Sequence, residues 1–228
     1  MYWQEPQDEH QRVSERAVDV SFDLRGRAIP VDHAYALEQA VLAHAPWLRD
    51  DPHGGIHYIY VAGSQNGWER PAFDGEQWLM LSRRTKLAVR ASRARLTELQ
   101  TALQNRVLDL DGCALHVGAG KARPLDIHTT LLSRHIVCAD REDEERFLHW
   151  VAAELRRHDI PIRKALCGKR LALRTPTGPL PTRSLLLADL RADEALRLQE
   201  YGLGPARTLG CGLFIPHKGI AAVGVASG

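Results

Sequence analysis

The chain has 228 residues, of which 44% are hydrophobic and 25% are charged, and its formal net charge is +2. This is the composition of an ordinary globular protein with one large domain or two small ones. The sequence contains no apolar stretch long enough to span a membrane and no signal peptide, so we expect a cytoplasmic protein without membrane contact. Its four cysteines lie far apart and match no zinc spacing, which predicts reduced thiols.

The charge is distributed unevenly along the chain. Residues 1–80 contain 6 basic and 13 acidic side chains, whereas residues 81–228 contain 24 basic and 15 acidic ones. Arginine supplies 25 of the 30 basic residues, and its guanidinium group suits bidentate phosphate contacts and base stacking. This pattern favours a polyanionic partner such as nucleic acid, although an arginine-rich surface without a ligand would have the same composition.

The first half of the chain predicts a strand, a helix, several strands, a second helix and a hairpin. Residues 17–24 alternate as a half-buried strand does, with Val18, Val20, Phe22 and Leu24 facing inward. Asp32 is a candidate N-cap for a helix that reaches about residue 45. The remaining predicted elements are strands at 56–61, 77–81 and 86–91, a helix capped by Ser92, and a hairpin over 107–117 that turns at Asp111 and Gly112.

The second half repeats this order of elements. It predicts a strand at 131–139, a helix at 142–158, strands at 160–166, 170–174 and 184–190, a helix at 191–201, and a last strand at 211–216. The order β-α-β-β-α-β is that of the ferredoxin-like fold. We therefore predict an α+β protein with two tandem ferredoxin-like domains, residues 1–120 and residues 121–228.

A glycine-rich segment lies between the last predicted helix and the last predicted strand. Gly202-Leu203-Gly204 and Gly210-Cys211-Gly212 are separated by five residues, with Arg207 at the centre. Glycines allow backbone N–H groups to approach a polyanion closely, and Arg207 would add positive charge. The segment follows a helix, unlike the phosphate loops of nucleotide-binding proteins. A helix C-cap at Gly202 followed by a tight turn is the simpler interpretation.

Two ferredoxin-like halves with this glycine loop resemble the RAMP proteins of CRISPR systems. Residues 24–37, which include Pro-Val-Asp-His, residues 55–57, which read Gly-Ile-His, and residues 182–219 carry a closer resemblance. They are similar to the Cas6 family of CRISPR repeat-processing endoribonucleases, in its myxobacterial-type branch. The resemblance covers nearly the whole chain.

The resemblance implies cleavage of CRISPR repeat RNA in a precursor transcript, without a metal or other cofactor. In that reaction the 2′-hydroxyl attacks the adjacent phosphorus and leaves a 2′,3′-cyclic phosphate and a 5′-hydroxyl. The reaction needs a base, an acid and positive charge near the phosphate. Histidine suits the first two roles because its pKa lies near neutrality.

The family places its essential histidine in the first half of the chain, within or just after the first helix. His57 follows the Gly54-Gly55 pair and is the favoured candidate, while His33 lies at the start of the predicted helix. A histidine bonded to backbone is the alternative for His33, a packing residue is the alternative for His44, and His53 lies in a turn. Tyr35 is the nearest equivalent of an assisting tyrosine, with a packing role as its alternative.

The predicted partner is CRISPR repeat RNA, either a hairpin or unstructured, with other subunits of a CRISPR effector complex as further partners. The predicted RNA-binding residues are Arg25, Arg27, Arg83, Arg84, Lys169, Arg170, Arg183, Gly202, Gly204, Arg207, Gly210, Gly212 and Lys218. Two other functions remain open at this point: a non-catalytic RAMP subunit that binds guide RNA, and a ferredoxin-like protein that binds a metabolite or serves in assembly.

Overall fold

The first strand shows how sequence pattern becomes structure. The structure is a computed structural model that describes residues 13–61, 78–138 and 143–217. Strand β1 comprises Val13–Arg25, and its alternation places Val18, Val20, Phe22 and Leu24 in the core, as predicted. The residues between them, including Asp19, point to the opposite face of the sheet.

The first sheet is antiparallel and has the strand order β3-β5-β1-β7-β6. Its first four strands are in ferredoxin-like order, with β6 added at one edge as half of a hairpin. The elements are β2 Ala28–Pro30, α1 Ala34–Leu42, β3 Gly55–Ile56, β4 Trp78–Met80, β5 Lys86–Ser92, α2 Leu96–Leu103, β6 Val107–Leu110 and β7 Cys113–Asp126. Strands β2 and β4 form a separate two-stranded sheet.

The second sheet has the order β11-β8-β10-β9, which is the same ferredoxin-like arrangement. Its elements are β8 Leu131–Val137, α3 Glu144–Arg156, β9 Lys164–Thr175, β10 Gly178–Ala188, α4 Ala192–Tyr201 and β11 Ile215–Pro216. The prediction of two tandem ferredoxin-like domains is therefore confirmed.

In each domain the helices cover one face of the sheet. Leu37 and Val41 of α1 and Leu99 and Leu103 of α2 pack in one buried cluster with the inward residues of β1 and β5. Phe147, Val151 and Leu155 of α3 and Leu198 of α4 do the same in the second domain. The other face of the first sheet, which carries Asp19, stays uncovered by α1 and α2.

The structure changes several predicted boundaries. The predicted division between residues 120 and 121 falls inside β7, and the two sheets separate instead between Asp126 and Leu131. The predicted strands at 160–166 and 170–174 are replaced by one strand, β9, because residues 164–166 and 170–174 both pair with β10, while residues 160–163 precede the strand. His33, not Asp32, is the N-cap of α1. The Asp32 carboxylate instead accepts a hydrogen bond from the Arg174 backbone N–H at 2.9 Å.

None of the helices in the described ranges is long and apolar enough to cross a lipid bilayer.

Candidate active site

An ion pair between Asp19 and Arg90 lies on the face of the first sheet that α1 and α2 do not cover. Asp19 on β1 and Arg90 on β5 are directly opposite each other in the register. The Arg90 guanidinium donates to both carboxylate oxygens, Nε to Oδ1 at 2.7 Å and Nη2 to Oδ2 at 2.8 Å. Burial alone would raise the pKa of Asp19, but the charge of Arg90 and the hydrogen bonds from Arg90 and His57 outweigh it and hold that pKa well below its usual value. Asp19 is therefore ionised at neutral pH.

His57 completes this arrangement. It directly follows β3, and its Nε2 lies 3.2 Å from Asp19 Oδ1. An ionised carboxylate only accepts hydrogen bonds, so Nε2 carries the proton and donates to Asp19. The Nδ1 atom of neutral His57 then holds a lone pair, and no side chain or backbone group in the described part of the chain binds it. The arrangement gives His57 the tautomer and orientation that a general base needs.

His57 lines a cleft of about 320 Å³ between the two domains. The first domain contributes Arg84 and Lys86 to the cleft, and the second contributes Arg134 from β8. Asp19 also lines the cleft, but Arg90 compensates its charge. Aromatic rings complete one wall, where Tyr58 lies near both Tyr60 and His135. The cleft thus combines a histidine, net positive charge and aromatic surface.

The glycine loop forms part of this cleft through Gly210. Its α-carbon lies so near the first domain that an added β-carbon would be 3.2 Å from the Ile56 carbonyl oxygen and 3.3 Å from the Tyr58 nitrogen. All four loop glycines have positive φ, between +67° and +83°. The loop therefore packs backbone against backbone beside His57, which only glycine at position 210 permits.

Several backbone N–H groups of the loop bind carbonyls of the protein itself. Those of Leu209, Gly210 and Cys211 donate to carbonyls within the loop, and that of Gly212 donates to the His135 carbonyl at 2.7 Å. These amides are occupied inside the protein and do not point to a polyanion. The loop anchors the second domain on the first.

Arg207 likewise binds the protein itself. Its Nη1 donates to the carbonyls of Pro52 and Tyr201, and its Nη2 to those of His53 and Glu200, at 2.9 to 3.2 Å. Burial and the charge of Arg90 lower the pKa of Arg207 to about 10, so the group stays protonated at neutral pH. The prediction of Arg207 as an RNA contact is corrected: its donors hold the end of α4 against residues 52–53.

His33 is also occupied by the protein. It is fully buried, its Nδ1 donates to the Pro30 carbonyl at 2.9 Å, and its Nε2 accepts the Ile59 backbone N–H at 3.2 Å. Both ring nitrogens therefore bind backbone, and the imidazole is neutral. The structure corrects the prediction of His33 as a base and supports the alternative of a histidine bonded to backbone.

The other first-half candidates lie outside the cleft. Tyr35 is 36% exposed on α1, and His44 is partly exposed just after that helix. His53 is buried, with its Nδ1 3.1 Å from the Glu200 carbonyl oxygen. None of the three lines the cleft that contains His57.

The predicted RNA-binding residues divide by position. Arg84 and Gly210 line the cleft, whereas the exposed neighbour Arg83 does not. Exposed cations lie at the end of β1 and on β9, namely Arg25, Arg27, Lys169 and Arg170. Arg183 is partly buried and donates to the Gly168 carbonyl at 3.2 Å. Gly202 and Gly212 are buried at the neck of the loop, Gly204 faces Trp150, and Lys218 lies outside the described residues.

The sequence analysis missed Asp19, Arg90, Lys86, Tyr60 and Arg134. Two signals were present. Asp19 occupies an outward position in the alternating pattern of β1, and Arg90 is a charged residue between the apolar Val89 and Ala91. A charge inside an apolar strand predicts a buried partner, but the sequence does not identify that partner.

Among the residues that the structure describes, no three His, Cys, Asp or Glu side chains are grouped closely enough to hold a metal ion.

Two tandem ferredoxin-like domains joined through a glycine loop define the class of RAMP proteins. The chain matches the family model described as Cas6 Crispr over residues 18–219. This protein therefore belongs to the Cas6 family.

Individual relatives agree with this membership. The chain is 29% identical over 200 residues to the CRISPR-associated endonuclease Cas6 of Myxococcus xanthus strain DK1622, covering 87% of this chain and 81% of the relative. This similarity agrees with the myxobacterial-type branch, which stays a prediction.

Solved structures share the fold. A Cas6-related protein from Pyrococcus furiosus superposes with a TM-score of 0.62 at 16% identity, covering 87% of this chain and 98% of that one. A CRISPR-associated protein Cas6 gives 0.62 at 13% identity, covering 89% and 100%. A RAMP protein described as binding different RNA substrates gives 0.55 at 14% identity, covering 87% and 98%.

Proposed function

We propose that this protein is an endoribonuclease that cleaves CRISPR repeat RNA in precursor transcripts to produce guide RNAs. Family membership and the Myxococcus xanthus endonuclease support this function. The observation that carries it is the placement of His57, held by ionised Asp19, in a cleft with Arg84, Lys86 and Arg134. We place the protein in the cytoplasm, where its four free cysteines suit a reducing environment.

The proposed mechanism is general acid–base catalysis without a metal. His57 Nδ1 removes the proton from the 2′-hydroxyl, which then attacks the adjacent phosphorus. The imidazolium that forms is stabilised by Asp19, which stays ionised because Arg90 is bidentate to it.

The cationic side chains of the cleft act on the phosphate. Arg84 and Lys86 stabilise the negative charge that grows on the pentacovalent phosphorus. Lys86 pairs with Asp23 and is 42% exposed, so its ammonium group remains within reach of RNA. We assign it as the donor to the leaving 5′-oxygen. The products are a 2′,3′-cyclic phosphate and a 5′-hydroxyl.

Labelled repeat RNA, incubated with the protein in EDTA, tests this proposal. Wild-type protein should cut at one position. The downstream fragment should accept phosphate from a kinase without prior phosphatase treatment, because it carries a 5′-hydroxyl. His57→Ala should cut at least about 100-fold more slowly while binding RNA with unchanged affinity.

His33→Gln is the informative comparison because His33 is also a first-half histidine but lies outside the cleft. His33→Gln should lower the free energy of unfolding, whereas the folded variant should cleave at nearly the wild-type rate. A requirement for Mg²⁺ together with 5′-phosphate products would contradict the mechanism. Binding without any cleavage would favour the non-catalytic RAMP subunit instead.

A further inference from the structure

An exposed aromatic side chain stands at the cleft on a rigid support. Tyr60 is 40% exposed, and its ring centroid lies 5.4 Å from that of Tyr58. Tyr58 is buried, its hydroxyl donates to the Val31 carbonyl, and its ring is 4.0 Å from His33. The His135 ring of the second domain packs 5.4 Å from Tyr58. The position of Tyr60 is therefore set by contacts from both domains.

Arg134 covers part of this aromatic surface. It is exposed on β8, and its guanidinium carbon lies 3.9 Å from the centroid of the Tyr60 ring. No carboxylate pairs with Arg134 in the described part of the chain, unlike Arg90, Arg163 or Lys86. Its charge and N–H donors are thus available at the cleft, beside an aromatic ring that already orients the guanidinium plane.

This pair fits an unpaired nucleobase better than a phosphate alone. A phosphate needs cations and gains nothing from an exposed tyrosine ring, whereas a base stacks on aromatic rings and on guanidinium planes. The cleft of about 320 Å³ has the size of a small-molecule site and is too small for a paired RNA helix. A nucleotide that enters it must be unpaired.

We propose that Tyr60 and Arg134 form a stacking site for one unpaired nucleobase of the RNA, next to the phosphate that reaches His57. The inference rests on the proposed function for its RNA substrate and adds a contact that selects a single-stranded nucleotide at the cut. Arg134 stacks on the base and Tyr60 supports it from below. The backbone of the bound nucleotide then runs past Arg84 and Lys86.

A double-mutant cycle between protein and RNA tests the site. Repeat RNA with 2′-deoxynucleotides at the cut prevents cleavage, so that only binding is measured. An abasic nucleotide is then placed at each repeat position in turn. Tyr60→Leu should weaken binding of intact RNA by about 5- to 150-fold. Against RNA that is abasic at one position adjoining the cut, Tyr60→Leu should have no further effect.

Two further variants serve as matched controls. Tyr60→Phe keeps the ring and should bind like wild type, and Arg134→Lys keeps the charge but loses the plane. Arg134→Lys should lose its effect at the same abasic position as Tyr60→Leu. If Tyr60→Leu weakens binding equally for intact RNA and for every abasic RNA, the stacking site is wrong. If Tyr60→Leu leaves the affinity for intact RNA unchanged, the proposed stacking site is also refuted.

These outcomes are independent of the catalytic assignment. Coupling at one position together with undiminished cleavage by His57→Ala would keep the stacking site and overturn the proposed base. Loss of cleavage in His57→Ala without coupling at any position would overturn the stacking site alone.

Discussion

Arg90 shows how a single buried side chain connects the two domains to the catalytic histidine. It is 0% exposed, and besides Asp19 it binds the carbonyls of Gln199 at 2.6 Å and Phe214 at 3.2 Å. A buried guanidinium without partners would destabilise the folded state by several kcal/mol. Arg90 is therefore held in place only while both domains supply these four contacts. Packing of the second domain thereby fixes Asp19, and Asp19 fixes His57.

Asp19→Asn should slow cleavage by on the order of 100-fold at neutral pH. An amide can donate to Nε2, which moves the proton of neutral His57 to Nδ1 and removes the base. Single-turnover rates at saturating protein measure the effect. Glu15→Gln, which removes an exposed carboxylate from the same strand, is the control and should leave the rate unchanged. Equal rates for wild type and Asp19→Asn would refute the orienting role.

Glu194 predicts a pH dependence of stability in the second domain. A hydrogen bond from Arg163, opposed by burial and aided by bonds from Arg191, lowers the pKa of Glu194 to about 2. Its folded-state pKa lies below the unfolded value, so the stabilisation is present above about pH 4.5 and is lost as pH falls toward about 2. The free energies of unfolding of wild type and Glu194→Gln should therefore converge over that range in urea titrations. A constant difference across those pH values would contradict the assignment.

At the scale of elements, the glycine loop acts as a joint between α4 and the first domain. The carbonyls of the last turn of α4 accept bonds from Arg90, Arg207 and His53, which replace the partners that a helix end lacks. The loop then turns back on itself, since the Leu203 N–H donates to the Gly212 carbonyl at 3.0 Å. This closed neck places Gly210 beside residues 56–58.

Gly212→Ala should be strongly destabilising. Its φ is +67°, and a β-carbon there would lie 2.1 Å from the Leu203 carbonyl oxygen. Gly112→Ala is the matched control, because Gly112 has a φ of +85° but nothing within 4 Å of the added carbon. We expect Gly112→Ala to cost about 1 kcal/mol and Gly212→Ala at least about 2 kcal/mol more, measured by urea unfolding. Similar losses in both variants would mean that the neck is not closely packed.

At the scale of the whole molecule, positive charge gathers where the two domains meet. The first 80 residues are net acidic and the remainder net basic, but Arg84 and Lys86 follow the acidic segment directly and face Arg134 across the cleft. RNA binding that depends on this cleft must weaken as salt increases, because each phosphate contact releases counterions.

Arg84→Ala and Arg83→Ala separate the cleft from the general surface. Both arginines are exposed and adjacent in the chain, but only Arg84 lines the cleft. Arg84→Ala should weaken repeat RNA binding and reduce the slope of log K against log salt by about 1, whereas Arg83→Ala should change the slope little. Binding isotherms at several salt concentrations measure the slopes. A larger effect for Arg83→Ala would move the RNA path away from the cleft.

Much of the fold could be predicted from local pattern. The alternation in residues 17–24 depends only on neighbouring residues, and so does the apolar spacing of Phe147, Val151 and Leu155 in α3. Boundaries were less accurate wherever a distant contact decided them. Asp32 does not cap α1, because its carboxylate binds a backbone N–H of β9 that is 142 residues away in the sequence.

The sequence by itself determined most of the order of helices and strands, the two ferredoxin-like domains and the family, because these depend on periodicity and on contiguous motifs. Only the tertiary structure decided the site. His33 lies at the start of α1 and His57 directly follows β3. His33 binds the backbone of residues 30 and 59 in the core, whereas His57 binds a carboxylate 38 residues away in the sequence. Which histidine keeps a free nitrogen at a basic cleft follows from long-range packing and desolvation, which no local pattern records.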